Sequence, residues 1–165
     1  MSGNLDTNLL CAQGDAAEEA GDLERARRLF EQGAALNDTM CLMRLALIHD
    51  LGLGVPVNQP VALQLNLRAW RLGNAVAAQN IATIYRDAGR EDRATLWYRR
   101  GAEAGDGDAA VELARRYLDG RGTERSPSEA RKWLQFAIAS KAWVSEGGVE
   151  EAIAQLERVR PTSIK

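Results

Sequence analysis

Residues 126–141 read SPSEARKWLQFAIASK, and three other stretches carry the same pattern: DLERARRLFEQGAALN at 22–37, NQPVALQLNLRAWRLGN at 58–74 and REDRATLWYRRGAEAGD at 90–106. Each has an alanine near its start, at Ala26, Ala62, Ala94 and Ala130, in steps of 36, 32 and 36 residues. Three residues later comes a large apolar side chain: Leu29, Leu65, Trp97 and Trp133. Seven and eight residues after each alanine lie Gly33/Ala34, Ala69/Trp70, Gly101/Ala102 and Ala137/Ile138. Positions so spaced share one face of a helix. A period of this length marks a stacked repeat, which decides the fold.

A second helix precedes each of these. Leu45-Ala46, Ile81-Ala82 and Leu113-Ala114 match one another and are followed by His49, Tyr85 and Tyr117; the first repeat offers a weaker copy at Gln13-Gly14 and Ala17. Small residues in both helices let their backbones approach, and larger neighbours fill the grooves. No such helix buries its stripe alone, so the pairs must stack.

The punctuation agrees. Gly21, Gly73, Gly89 and Gly105 fall where helices should end, since glycine takes the left-handed terminal conformation without strain. Ser126-Pro127-Ser128-Glu129 reads as a capping box with proline at the first helical position, and Asp22, Asp38, Asn58 and Asn74 read as N-caps. Repeats two and four carry longer internal loops, at Gly52-Leu53-Gly54-Val55-Pro56 and Gly120-Arg121-Gly122-Thr123.

The sequence therefore predicts one all-α repeat domain over residues 1–165, with repeats at about 8–37, 38–73, 74–105 and 106–141. A ninth helix over 145–160, striped by Val149, Ile153, Leu156 and Val159, is expected to cover the open end of the last repeat. Pro161 ends it, and the last few residues are expected to fray.

The order A-x-x-x-L-A-x-x-Y-x-x-G-x-G, a loop, then E-A-x-x-W resembles the Sel-one-like repeat family. Repeat four carries it at Ala109, Leu113, Ala114, Tyr117, Gly120, Gly122, Glu129, Ala130 and Trp133. Repeat two keeps Leu45, Ala46, Gly52, Gly54, Val55 and Ala62. Repeats one and three lack the loop and are similar to plain tetratricopeptide repeats. The resemblance implies a right-handed superhelical solenoid whose first helices line a concave side. It also implies a role as adaptor, scaffold or inhibitor, without saying for which partner.

Composition narrows the function. The net charge is −2, with 18 arginines against three lysines and acidic residues mixed among them, so neither nucleic acid nor anionic lipid is an expected partner. Residues 1–6 lack the basic start and apolar core of an export signal, and the sequence holds no apolar run of membrane-spanning length. Cys11 and Cys41, with no paired spacing, read as reduced packing residues of a cytoplasmic protein.

No enzyme chemistry emerges. His49 is the single histidine and takes a position held elsewhere by tyrosine; one histidine cannot build a two- or three-ligand zinc site. Cys11 has no histidine beside it for a nucleophilic pair. Gly52-Leu53-Gly54 is a loop between helices, not a phosphate cradle. Asp15, Glu18, Glu19 and Asp22 at helical spacing read as a solvated face, and Trp70, Trp97, Trp133 and Trp143 as packing residues. No catalytic, cofactor or metal residue is expected.

What remains is surface. Mapping the columns onto the concave side puts Met40, Met43 and Leu47 of repeat two there, Gln79, Thr83 and Arg86 of repeat three, and Val111, Arg115 and Leu118 of repeat four. These nine are the expected partner-binding residues. Residues 40–48 are apolar on almost every side, so this helix is either buried all round or presents an apolar patch. The expected function is a cytoplasmic adaptor or scaffold holding a protein or peptide. A dedicated inhibitor, immunity protein or chaperone of one cognate protein is the alternative, and self-association through repeat two is a third reading.

Overall fold

The computed structural model describes residues 6–139 and 144–159. Among them all regular structure is α-helical, in nine helices: α1 (Thr7–Glu19), α2 (Leu23–Ala35), α3 (Thr39–Leu51), α4 (Gln59–Arg71), α5 (Val76–Asp87), α6 (Glu91–Glu103), α7 (Gly107–Asp119), α8 (Pro127–Ala139) and α9 (Glu146–Arg158). The readings made for residues 1–5, for Trp143 and for residues 161–165 lie outside the described residues.

The starts are set by short polar side chains that accept an otherwise unpaired N–H of the first turn. Asp22 takes Arg25 N at 3.0 Å, Asp38 takes Cys41 N at 2.9 Å, Asn58 takes Val61 N at 3.2 Å and Asp106 takes Ala109 N at 3.0 Å. Ser126 Oγ accepts Glu129 N at 3.4 Å ahead of Pro127, which opens α8. Five short connections share an ending that also occurs after Gly52 and Gly120, where Leu53 N returns to Ile48 O and Arg121 N to Arg116 O. Asp22, Asp38, Asn74, Arg90 and Asp106 each return a backbone N–H to the carbonyl five residues back, and each follows a residue with positive φ. Four of those residues are the expected glycines; the fifth is Asn37, at φ 64°.

Two compact units make up the chain, residues 1–77 and 78–165, the division falling in the first turn of α5. In the first unit α2 packs on α1 and α3, and α3 on α4. Its core joins Cys11 and Ala17 of α1, Ala26, Phe30 and Ala34 of α2, and Cys41, Leu42, Leu45 and Ile48 of α3. In the second unit α7 packs on α6, α8 and α9, around Tyr98, Leu113, Ala114, Leu134 and Ala152.

The long loops of repeats two and four are copies of each other. Asn58 N donates to His49 O at 2.7 Å in one, and Ser126 N to Tyr117 O at 2.8 Å in the other. Gly122 sits at φ 62°, and a Cβ there would overlap the Glu91 carbonyl, so both conformation and space demand glycine.

Two column assignments differ from expectation. The deepest position follows each repeat alanine by four residues, not three: Phe30, Asn66, Tyr98 and Leu134 are buried, whereas Leu29, Leu65 and Trp133 are only half-buried. A contact four residues on from a buried alanine sits more squarely under it on a 3.6-residue turn. On α9, Ile153 is 45% exposed, and the buried face is Gly148, Ala152 and Gln155. Small residues let α9 lie close to α7 and α8, which a row of bulky side chains would prevent.

Candidate partner-binding surfaces

The apolar run of residues 40–48 divides between core and surface. Cys41, Leu42, Leu45, Ala46 and Ile48 are buried. Met40 is 51% exposed, Leu47 39% and Leu51 58%, with Met43 half-buried between them. Steps of three, four and four residues hold these four on one line along α3. Met40, Met43 and Leu47 are therefore brought together as expected. Leu51 was missed, although its spacing from Leu47 could have found it.

Beside this line lies a charged edge. Arg44 Nε stands 2.8 Å from Asp15 Oδ1 of α1, and the two share a shallow depression with Glu18 and Glu19. The surface of the first unit thus pairs an apolar ridge with an acidic border that one arginine interrupts.

In the second unit Gln79, Thr83 and Arg86 lie on one face of α5. Thr83 Oγ1 is 3.4 Å from Tyr98 Oη, and exposed Arg86 pairs with Asp87 at 2.9 Å. The α7 column fares differently. Val111 is 3% exposed, which removes it from the surface: it lies in a depression lined also by Gln79 and by Ser145, Gly147 and Gly148 near the start of α9. Arg115 bridges Glu112, at 2.8 Å, and Glu151 of α9. Leu118 is half-buried near Ala154 and Arg158 of α9. The cap helix occupies part of the surface that the sequence assigned to a partner.

Possible ligands for an ion come from an unexpected place. Cys11 and Cys41, thirty residues apart in sequence, meet across α1 and α3, and one donor atom from each lies within 4.8 Å of the others and of a carboxylate oxygen of Asp38. Both are free thiols. Sequence spacing carried no hint of this pairing. Among the described residues, no helix is long and apolar enough to cross a membrane.

Helix pairs that recur with the same caps, loops and core columns define a helical-repeat protein. The chain belongs to the Sel1 repeat family, whose model matches residues 10–38, 39–74, 87–106 and 107–141. The Sel1 repeat fold is in general a non-catalytic protein–protein interaction module. The chain is 31% identical over 101 residues to the F-box protein At1g70590 of Arabidopsis thaliana, an alignment covering 61% of this chain and 28% of that protein. It thus spans under a third of that relative's length. A Sel1 repeat protein from Oxalobacter formigenes superposes with TM-score 0.69 at 22% identity, over 90% of this chain and 70% of that one. MamA superposes with TM-score 0.56 at 19% identity, over 83% and 79%. These structural likenesses concern the fold alone.

Proposed function

We propose that this chain is a cytoplasmic adaptor or scaffold that holds a protein partner on the exposed line of α3 in its first unit. The observation that carries the reading is the line of exposed Met40, Leu47 and Leu51, with half-buried Met43 between them packed against the core, on a helix whose other face is buried. Exposed apolar side chains in a continuous row cost solubility unless something covers them, and methionine adapts its shape to a partner. The acidic border at Asp15, Glu18 and Glu19 favours a partner segment with apolar anchors and flanking basic residues. The cytoplasmic setting is read from the sequence, whose two cysteines have no paired spacing. Exposed Arg86 and half-buried Leu118, on the second unit, are separate candidate contacts. Arg115, tied to two glutamates, serves the fold first.

Co-purification of tagged protein from its own cells tests this. Met40→Glu and Leu47→Glu should each remove the bound partner while leaving the circular dichroism spectrum and melting temperature unchanged. Arg28→Ala, on the exposed face of α2, should keep it. Retention of the partner by both glutamate variants defeats the reading. Affinity then separates the two roles: an adaptor exchanges partners at micromolar affinity, whereas a dedicated inhibitor holds one in the nanomolar range or below. A wild-type dimer dissolved by Leu47→Glu would instead identify the partner as a second copy.

A further inference from the structure

We propose that Cys11, Cys41 and Asp38 form a binding site for one thiophilic divalent cation of the zinc kind, bridging the first and second repeats. Zinc takes thiolate sulfur at about 2.3 Å and carboxylate oxygen at about 2.0 Å, so tetrahedral donors around it stand about 3–4 Å apart. The three donor atoms already lie within 4.8 Å of one another, so small side-chain rotations close the site. Thiolate and carboxylate together select a borderline-soft ion over magnesium or calcium.

The donors sit on fixed supports, which favours a defined geometry. Asp38 is held as the N-cap of α3, its Oδ1 accepting Cys41 N at 2.9 Å. Cys41 is in the first turn of the same helix, and Cys11 comes from the middle of α1. Gly33 of α2 makes room: a Cβ there would overlap Cys41 Sγ. The two sulfurs lie within 4.8 Å of each other. Asp38 and Asp15 act on Cys11 with negative charge, and Arg44 acts on it with positive charge.

Burial pushes both thiols up from the ordinary cysteine range. A cation supplies the charge that makes thiolate favourable in this place. The step balances without an oxidant or reductant: one M²⁺ joins two sulfurs and one carboxylate oxygen, and the two S–H protons leave to solvent. A water would complete the tetrahedral set beside the three protein donors.

The full chain, reduced and stripped with chelator, should be titrated with Co(II) and then with Zn(II). The expected result is one cobalt per chain, with thiolate-to-cobalt charge-transfer absorption in the near ultraviolet that zinc abolishes, and two protons released per ion. Asp38→Asn keeps a capping oxygen and should weaken cobalt by about tenfold or more. Wild-type protein that shows no charge-transfer band overturns the proposal, whatever the variants do. Cobalt binding of equal strength in Cys11→Ser also overturns it, by assigning the ion to surface carboxylates.

Discussion

Arg116 Nη1 lies 2.6 Å from Glu91 Oε2, in a pair whose arginine side chain is 4% exposed and whose glutamate is 40% exposed. The same nitrogen reaches Thr95 Oγ1 at 3.2 Å, and the guanidinium carbon stands 4.8 Å from the Tyr98 ring centre. One cation on α7 thus fastens the start of α6. Removing Glu91 strands a buried charge, so Glu91→Ala should cost about 2 kcal/mol, below the ~3–5 of a fully buried pair because half of this one is wet. Arg116→Met leaves behind a carboxylate that water already reaches and should cost less. Denaturant melts compare the two, and the reverse order contradicts this account of the pair.

The buried column makes its own ranking. Trp97 is buried and Trp133 half-buried at matching positions, so Trp97→Ala should cost about 3–5 kcal/mol and Trp133→Ala at least about 1 kcal/mol less. Leu134→Ala, one residue beyond Trp133 and fully buried, should fall in the range of about 2–5 kcal/mol. Equal losses for the two tryptophans in urea melts would mean the columns are misassigned.

Asp106 caps α7 from a buried position. Burial pushes its carboxyl above the ordinary 3.8, and the bond from Ala109 N only partly opposes this. A raised folded value means that its favourable contribution is complete below the unfolded value and is lost as pH rises through the folded one. Asp106→Asn retains a capping oxygen without the charge. It should therefore melt above wild type at pH near 7, with the gap closing as pH falls toward 3.8. A gap that widens on acidification refutes the sign.

Gly122 and Gly73 separate conformation from space. Both have positive φ, but a Cβ at Gly73 meets nothing, while one at Gly122 meets the Glu91 carbonyl. Gly73→Ala should cost about 1 kcal/mol, and Gly122→Ala roughly 2 kcal/mol or more. Thermal melts that rank them equal would show that the loop moves aside.

Much of the fold was legible because its signals are local. Helix starts at Asp22, Asp38 and Asn58, endings at Gly21, Gly73, Gly89 and Gly105, and the paired loops follow from backbone rules that act within a few residues. The depth of Phe30, Tyr98 and Leu134 relative to their neighbours was not legible. A stripe drawn at 3 or at 4 residues fits the same helix, and the choice depends on the angle at which the partner helix crosses.

The site was legible in part for the same reason. Met40, Met43 and Leu47 share a helix face, which spacing reveals, and whether that face is covered depends on distant chain. The reading of Val111 as surface failed because its side chain is buried in the packing of α7, and Arg115 found its partner in Glu151. The meeting of Cys11 with Cys41 depends on how α1 and α3 pack, and a list of cysteine spacings contains no such information.

The central claim is that the exposed line of α3 receives a protein. Site-specific photo-crosslinking in intact cells tests it most directly, with a photoreactive residue placed at Leu47, at Leu51 or, for comparison, at Arg28 of α2. The account predicts one discrete covalent adduct, the same from Leu47 and Leu51, absent at Arg28 and lost when Met40→Glu is added. Adducts from Arg28 alone, or an adduct at Leu47 that survives Met40→Glu unchanged, would contradict it.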